Sequence, residues 1–204
     1  MDAPEGVLRL GSRTFGPGQL LVMTAVSAAA GLERVHAAVA DGADILAVAE
    51  TGFIAAVRDA YPDLVIAAAA SVPEAGREAC AAGADLLGAR LAAVAAEFGA
   101  GVVGALGEAA RAVAAGVSPE RIIVDAGPRP RPARLADLAA TGWPVLVSPG
   151  NQDLARALAA AAVSAWLGAR VFRVGHVRET RRALRMVAAI RGDLPPASAV
   201  RGLA

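Results

Sequence analysis

The stretch Ala38-Val39-Ala40-Asp41-Gly42-Ala43-Asp44 ends an alanine-rich helical segment and leads into an apolar strand within two residues. Glycine just after a helix supplies the left-handed backbone conformation that closes the last helical turn. The same kind of junction recurs at Ala82-Gly83-Ala84-Asp85, Phe98-Gly99-Ala100-Gly101 and Leu167-Gly168-Ala169-Arg170. This repetition predicts repeated βα units whose short helix-to-strand loops lie on one side of a sheet.

Apolar segments of strand length alternate with segments whose apolar residues have helical spacing. The predicted strands are residues 20–26, 44–48, 64–69, 85–89, 102–106, 121–124, 144–147 and 170–174. Continuous apolar strands between amphipathic helices are typical of a parallel sheet that is covered by helices. Eight such units predict an α/β fold, a compact (β/α)8 TIM barrel, with a doubly wound open sheet as the alternative.

Two short apolar segments precede the first predicted strand of the barrel. Leu8-Arg9-Leu10 and Thr14-Phe15 flank Gly11-Ser12-Arg13, a pattern that is typical of a small N-terminal β-hairpin. We expect this hairpin to close the floor of the barrel. The length of 204 residues predicts that residues 1–204 form a single domain.

Composition argues against several classes of partner. All 20 basic residues are arginine, they oppose 19 acidic residues, and no clustered basic surface of the kind that binds nucleic acid is indicated. The most apolar run, residues 158–167, is too short to span a bilayer, and the N-terminus lacks the order of a secretory signal. The single Cys80 forms no disulfide framework. We therefore expect a soluble, cytoplasmic protein with no nucleic-acid or membrane partner.

Few polar side chains follow the predicted strands, although the carboxyl ends of the strands are where a TIM barrel carries its reactive groups. The candidates for ligand binding are the charged, amide or imidazole side chains at these ends: Glu50, Asp125, Asn151, Gln152, Arg173 and His176. Arg173 offers a planar fork of donors and His176 can add another, which predicts a site for the negative group of a ligand.

Three of these candidates also have a purely structural interpretation. Asp125 is equally placed to cap the helix that follows it. Arg173 is consistent with an exposed cation at the rim, and His176 with a solvated loop residue. Glu50 is a candidate general base, but a single carboxylate without a visible partner is seldom catalytic.

Several segments of the scaffold together carry a family resemblance. They are Leu8-Arg9-Leu10-Gly11-Ser12-Arg13-Thr14-Phe15, Leu21-Val22-Met23, the junctions at Gly42 and Gly83, Thr141-Gly142-Trp143-Pro144-Val145-Leu146 and Gly168-Ala169-Arg170-Val171-Phe172-Arg173-Val174. In these segments, which are spread over nearly the whole chain, the sequence resembles the dihydropteroate synthases, the pterin-binding TIM barrels of folate synthesis. The resemblance is to a shortened and degenerate second-paralogue type. Shared ancestry by itself does not establish activity.

The resemblance implies a reaction in which dihydropterin pyrophosphate loses pyrophosphate to the amine of p-aminobenzoate, with Mg²⁺ and an anion site at the barrel mouth. The family's Asn-x-Thr-Pro-Asp-Ser-Phe loop helps to hold pyrophosphate and metal, and here it is Ser27-Ala28-Ala29-Ala30-Gly31. The Asp-Thr pair of strand three falls at Ala68-Ala69-Ala70-Ser71, and the Asn-Asp pair of strand four falls at Leu87-Gly88. The family's strand-seven lysine aligns with Gln152.

Two positions keep the family's pattern. Asp125 stands where the family has its pterin-binding aspartate, and the Arg-x-His anion motif is represented by Arg173-Val174-Gly175-His176, with the histidine one place late. We therefore predict a dihydropteroate synthase-like protein that has lost the family reaction and its Mg²⁺ cofactor. It would bind a pterin or a phosphate-bearing small molecule without catalysis, or act as a partner protein. The alternatives are a diverged enzyme that uses the same barrel for another small-molecule reaction, and a residual dihydropteroate synthase.

The resemblance also implies dimerisation through the last two helices. The predicted helix at residues 151–166 carries small side chains that would allow another helix to approach closely: Ala157, Ala160, Ala161, Val163 and Ser164. Twofold pairing would bury the same surface on both partners. We expect a homodimer, or a heterodimer with an active paralogue, unless these alanines pack on the barrel's own strands.

Overall fold

All eight predicted barrel strands form, and they pair in parallel into a closed barrel in the computed structural model, which describes residues 6–128, 130–150 and 153–194. The barrel strands are β3 (Leu21–Val26), β4 (Ile45–Val48), β5 (Val65–Ala68), β6 (Leu86–Gly88), β7 (Gly101–Gly104), β8 (Ile122–Asp125), β9 (Val145–Val147) and β10 (Val171–Arg173). β10 pairs with β3 and thereby closes the barrel. This confirms the (β/α)8 prediction against the open-sheet alternative.

A helix follows each barrel strand and packs on the outside of the barrel. The helices are α1 (Gly31–Ala40), α2 (Thr51–Ala60), α3 (Pro73–Ala81), α4 (Ala92–Phe98), α5 (Leu106–Ala114), α6 (Pro132–Ala140), α7 (Leu154–Trp166) and α8 (Val177–Arg191). Gly42 and Gly83 have φ angles of 100° and 106°, as the junctions predicted. Among the described residues, no helix combines the length and apolar character that a membrane crossing requires.

The predicted N-terminal hairpin forms from β1 (Leu8–Leu10) and β2 (Arg13–Phe15), which pair antiparallel. Leu8, Leu10 and Phe15 are buried in one cluster with side chains of the barrel interior, including Met23 and Leu86. The hairpin therefore closes the amino-terminal end of the barrel, as expected from the sequence.

A second and larger apolar layer lies between the strands and the helices. Because side chains alternate along a strand, Leu21 and Met23 belong to the interior cluster, whereas Val22 packs in the outer layer. The outer layer includes many small residues from the helices, such as Ala38 and Ala79. Small side chains let the short helices approach the barrel closely, so this core depends on close packing and little on aromatic rings.

The guanidinium of Arg181 holds the first junction, and we call this arrangement the Arg181 clamp. Its Nη1 donates to the carbonyl of Leu20 at 2.8 Å, and its Nη2 and Nε donate to the carbonyl of Gly42 at 2.6 and 3.1 Å. Nη2 also pairs with the carboxylate of Asp44, which accepts a hydrogen bond from the backbone N of Val22 at 2.8 Å. One arginine of α8 thus joins the starts of β3 and β4.

Arg58 repeats this arrangement at the second junction, and we call it the Arg58 clamp. Nη1 donates to Leu64 O at 2.9 Å, Nη2 donates to Gly83 O at 2.7 Å, and Nη2 lies 2.5 Å from Asp85 Oδ2. Asp85 Oδ2 in turn accepts from the backbone N of Ile66 at 2.9 Å. A Cβ at Gly83 would lie 3.0 Å from the Arg58 side chain, so glycine supplies both the positive φ and the space for the guanidinium.

The structure excludes two residues from the surface that was predicted for a subunit contact on α7. Ala157 and Ala161 are buried in the protein's own core, so they pack on the barrel and are not available to a partner. Ala160 and Ser164 are half-buried, whereas Val163 is 55% exposed. The period of an α-helix places residues 157, 161 and 165 on one face, and that face is the inner one.

Loss of a clamp is expected to destabilise the fold. Arg181→Leu would leave the Asp44 carboxylate and two backbone carbonyls without their charged donor, and it should lower the free energy of unfolding by about 2–4 kcal/mol. Arg182→Leu is the matched control, because Arg182 is exposed on the same helix. Urea denaturation monitored by circular dichroism measures both variants, and equal losses in the two would contradict a clamp role.

Candidate functional site

An apolar cavity of about 230 Å³ opens where the barrel strands end at their carboxyl side, and we call it the mouth cavity. Its wall is made mostly of short or aliphatic side chains: Met23, Ala47, Ala67, Ala68, Ala69, Leu86, Leu87 and Val103, with Gly88 beside them. Two charged side chains, Asp125 and Arg173, complete the lining. The alanines of β4 and β5 leave the space that longer side chains would fill.

Asp125 and Arg173 form an ion pair at the edge of this cavity. Asp125 ends β8 and Arg173 ends β10, and β9 lies between them, so both side chains project from the same end of the barrel. Arg173 Nη2 donates to Asp125 Oδ2 at 3.1 Å, and Arg173 Nε donates to Ser148 Oγ at 3.0 Å. The backbone N of Gly127 donates to Asp125 Oδ1 at 2.8 Å.

These contacts test the helix-capping interpretation of Asp125. Its carboxylate accepts from the loop at Gly127, whereas α6 begins at Pro132 with Arg131 at the N-cap position. Asp125 therefore does not cap the helix that follows it. Ser148, which directly follows β9, was not selected from the sequence. The sequence could have indicated Ser148, because it comes right after the strand that lies between the strands of Asp125 and Arg173.

Glu50 lies on the opposite side of the barrel mouth from Asp125. It follows β4, and three strands separate β4 from β8 in either direction around the barrel. Glu50 Oε2 accepts from the backbone N of Ala28 at 3.3 Å, and the Glu50 side chain is not part of the mouth cavity lining. The structure therefore does not bring Glu50 together with Asp125 and Arg173.

The remaining candidates have different positions. His176 occupies the N-cap position of α8, three residues beyond the end of β10, and it is half-buried. Asn151 and Gln152 lie outside the described residues. Of the six predicted residues, the structure places Asp125 and Arg173 in direct contact.

The residues at the mouth do not fit the Mg²⁺ site of the resembled family. Mg²⁺ prefers oxygen ligands in octahedral geometry, supplied in part by carboxylates. After β3, Ser27 offers one hydroxyl and no carboxylate, and the 3₁₀ turn that follows, Ala28–Ala30, has no side-chain oxygen. Across the part of the chain that the structure describes, no three His, Cys, Asp or Glu side chains are grouped to hold a metal ion.

Comparison with models of known protein families finds no match. Individual relatives are nevertheless clear. The chain is 37% identical to the inactive dihydropteroate synthase 2 of Mycobacterium bovis, over 87% of this chain and 80% of the relative. It is also 37% identical to the protein of the same name from Mycobacterium leprae, over 83% of this chain and 85% of the relative.

Comparison with solved structures gives similar proteins of the same kind. A protein of Mycobacterium tuberculosis, 37% identical, superimposes with a TM-score of 0.83 over 94% of this chain and 100% of the other. The dihydropteroate synthase of Yersinia pestis superimposes with a TM-score of 0.82 over 93% of this chain and 100% of the other, at 20% identity. At that identity the likeness shows a common fold alone.

Proposed function

Because the chain belongs to the dihydropteroate synthase family, we propose that it is a member that has lost the family reaction and uses its barrel mouth to bind a pterin-type molecule. The observation that carries this proposal is the Asp125–Arg173 pair beside an otherwise apolar cavity. Relatives that are 37% identical bear the name inactive dihydropteroate synthase 2, which supports the loss of activity.

The loss of the reaction follows from which side chains line the mouth cavity. Ala68, Ala69, Leu87 and Gly88 occupy the ends of β5 and β6, and none of them offers a side-chain hydrogen bond to a substrate. The alanine turn after β3 cannot hold pyrophosphate or a metal ion through side chains. A reaction is accelerated only by groups that stabilise its transition state, and departure of pyrophosphate needs charge stabilisation that is missing at these positions.

Purified protein incubated with dihydropterin pyrophosphate, p-aminobenzoate and Mg²⁺ is expected to release no pyrophosphate above background. The physical reason is that alanine, leucine and glycine stand at the ends of β5 and β6 and alanine fills the turn after β3, and groups that act together in catalysis do not replace one another. A coupled pyrophosphate assay measures the rate. A turnover that disappears in Asp125→Ala would contradict the proposal.

Binding without catalysis remains compatible with the geometry. Asp125 is a half-buried carboxylate whose two oxygens can accept from ring N–H groups, and hydrogen bonds to a charged group contribute about 1.5–3 kcal/mol each. Met23, Leu86 and Val103 supply apolar surface for a flat ring. A volume of about 230 Å³ limits the ligand to a small molecule.

Asp125→Ala is expected to weaken pterin binding at least tenfold, which corresponds to about 1.4 kcal/mol. Titration calorimetry with a reduced hydroxymethylpterin measures the affinity. Asp153→Asn is the control, because Asp153 caps α7 outside the mouth cavity and asparagine caps helices equally well. An equal effect of the two substitutions would place the ligand elsewhere.

A second copy of the chain is the proposed partner. Val163 and Trp166 on α7 and Met186 and Ile190 on α8 are 55–66% exposed, and the two helices pack against each other. Large apolar side chains grouped on neighbouring helices are typical of a subunit contact, and a twofold contact buries the same face on both copies. Dimerisation through the last two helices is what the family resemblance implies.

Light scattering at tens of micromolar is expected to show a homodimer, which Trp166→Glu converts to a monomer because it would bury a charge in the contact. Phe98→Glu is the control, because Phe98 is 45% exposed on α4, across the barrel from α7 and α8. A monomeric wild-type protein would contradict the homodimer. Capture of a co-expressed paralogue by that monomer would instead support the heterodimer.

We also propose that the protein is cytoplasmic. Cys80 is the single cysteine of the chain, so the protein forms no internal disulfide. Burial raises the pKa of the Cys80 thiol, and the negative charges of Asp85 and Glu97 add to this effect. The thiol therefore stays protonated and weakly reactive, which suits a reducing compartment.

A further inference from the structure

The charges that line the mouth cavity cancel each other. Asp125 is the one carboxylate and Arg173 the one guanidinium among the described residues of the lining, and they are bonded to each other at 3.1 Å. The Nε of Arg173 is also committed, to Ser148 Oγ at 3.0 Å. The cavity therefore offers a ligand a neutral pair beside apolar walls.

An anionic ligand that bonded to Arg173 would lie close to the Asp125 carboxylate, whose Oδ2 is 3.1 Å from Arg173 Nη2. If a diphosphate took the guanidinium, the Asp125 carboxylate would lose its counter-ion and lie beside a multiply charged anion. Because the Arg173 side chain is 46% exposed, loss of the ion pair itself costs little, and the repulsion between the juxtaposed like charges is the larger part of the cost. The Gly127 N–H would still hold Asp125 Oδ1 in place, so the carboxylate would not simply swing away.

On the β3 side of the mouth, the turn at Ala28–Ala30 presents methyl groups and adds no positive charge. The backbone N of Ala28 donates to the Glu50 carboxylate. A diphosphate that extended across the mouth would approach a second negative charge. Repulsion from Glu50 and repulsion from Asp125 therefore act in the same direction.

We propose that the mouth cavity selects the uncharged, diphosphate-free form of its pterin-type ligand, and that the Asp125–Arg173 pair sets this preference. This inference rests on the proposed function, because it concerns the ligand of the same cavity. A neutral ring with adjacent N–H groups can share the outer face of Asp125 without breaking the ion pair. The chain would thus hold the alcohol form of the pterin and reject the activated ester that the family reaction consumes.

The direct test compares a matched pair of ligands, reduced hydroxymethylpterin and its diphosphate, by calorimetry at fixed ionic strength without Mg²⁺. The alcohol is expected to bind at least tenfold more tightly. Equal or tighter binding of the diphosphate would overturn the selectivity while leaving the proposed binding function intact. Binding of neither molecule would overturn both.

A second test changes the pair. Asp125→Asn keeps the shape of the side chain and releases Arg173 from its counter-ion, so inorganic pyrophosphate should bind at least tenfold more tightly than it does to the wild type. Asp153→Asn makes the same change of net charge outside the cavity and should leave pyrophosphate binding unchanged. The same gain in both variants, or none in Asp125→Asn, would show that the pair does not control anion binding.

Discussion

The arginine clamps are the interaction on which the remainder of the barrel depends. In each, one guanidinium bonds the carbonyl that precedes one strand, the glycine carbonyl of a junction and the aspartate that opens the next strand. Closing a parallel barrel brings the starts of neighbouring strands together, and their carbonyls need donors there. Arg58 and Arg181 supply those donors with a charge that the aspartates neutralise.

The clamps and the candidate site consequently lie at opposite ends of the barrel. The amino-terminal end contains both clamps and the hairpin whose Leu8 and Leu10 fill the barrel floor. The carboxyl end carries the mouth cavity, whose wall includes alanines of β4 and β5. Because side chains at that end can be exchanged without opening the clamps, the chain retains the fold of the Yersinia pestis enzyme at 20% identity while its mouth has lost most polar groups.

The mouth shows how a family site can lose its chemistry and keep a specific shape. Asp125 and Arg173 pair with each other, Gly127 N donates to Asp125, and Arg173 donates to Ser148. A reacting diphosphate needs charges that are free to stabilise it, whereas a neutral ring needs apolar walls and one oriented acceptor. The mouth cavity of this protein provides the apolar walls and the oriented acceptor.

The alternation of apolar strands and alanine-rich helices, with glycine at the junctions, was enough to predict the closed barrel and its hairpin. These signals are local, since the period of a strand or helix and the φ preference of glycine are written in neighbouring residues. Strand ends also located Asp125 and Arg173, because TIM barrels carry functional side chains there. The pairing of those two side chains, 48 positions apart, was not predicted.

Barrel closure determined the contacts that link distant parts of the chain. It brought Arg181 to Asp44 across 137 positions, put Glu50 on the opposite side of the mouth from Asp125, and turned Ala157 and Ala161 inward. Sequence shows that a residue lies at a strand end or on a helix, but its neighbours in space depend on how eight strands are arranged around one axis. The partner of a charged side chain is therefore a property of the folded barrel.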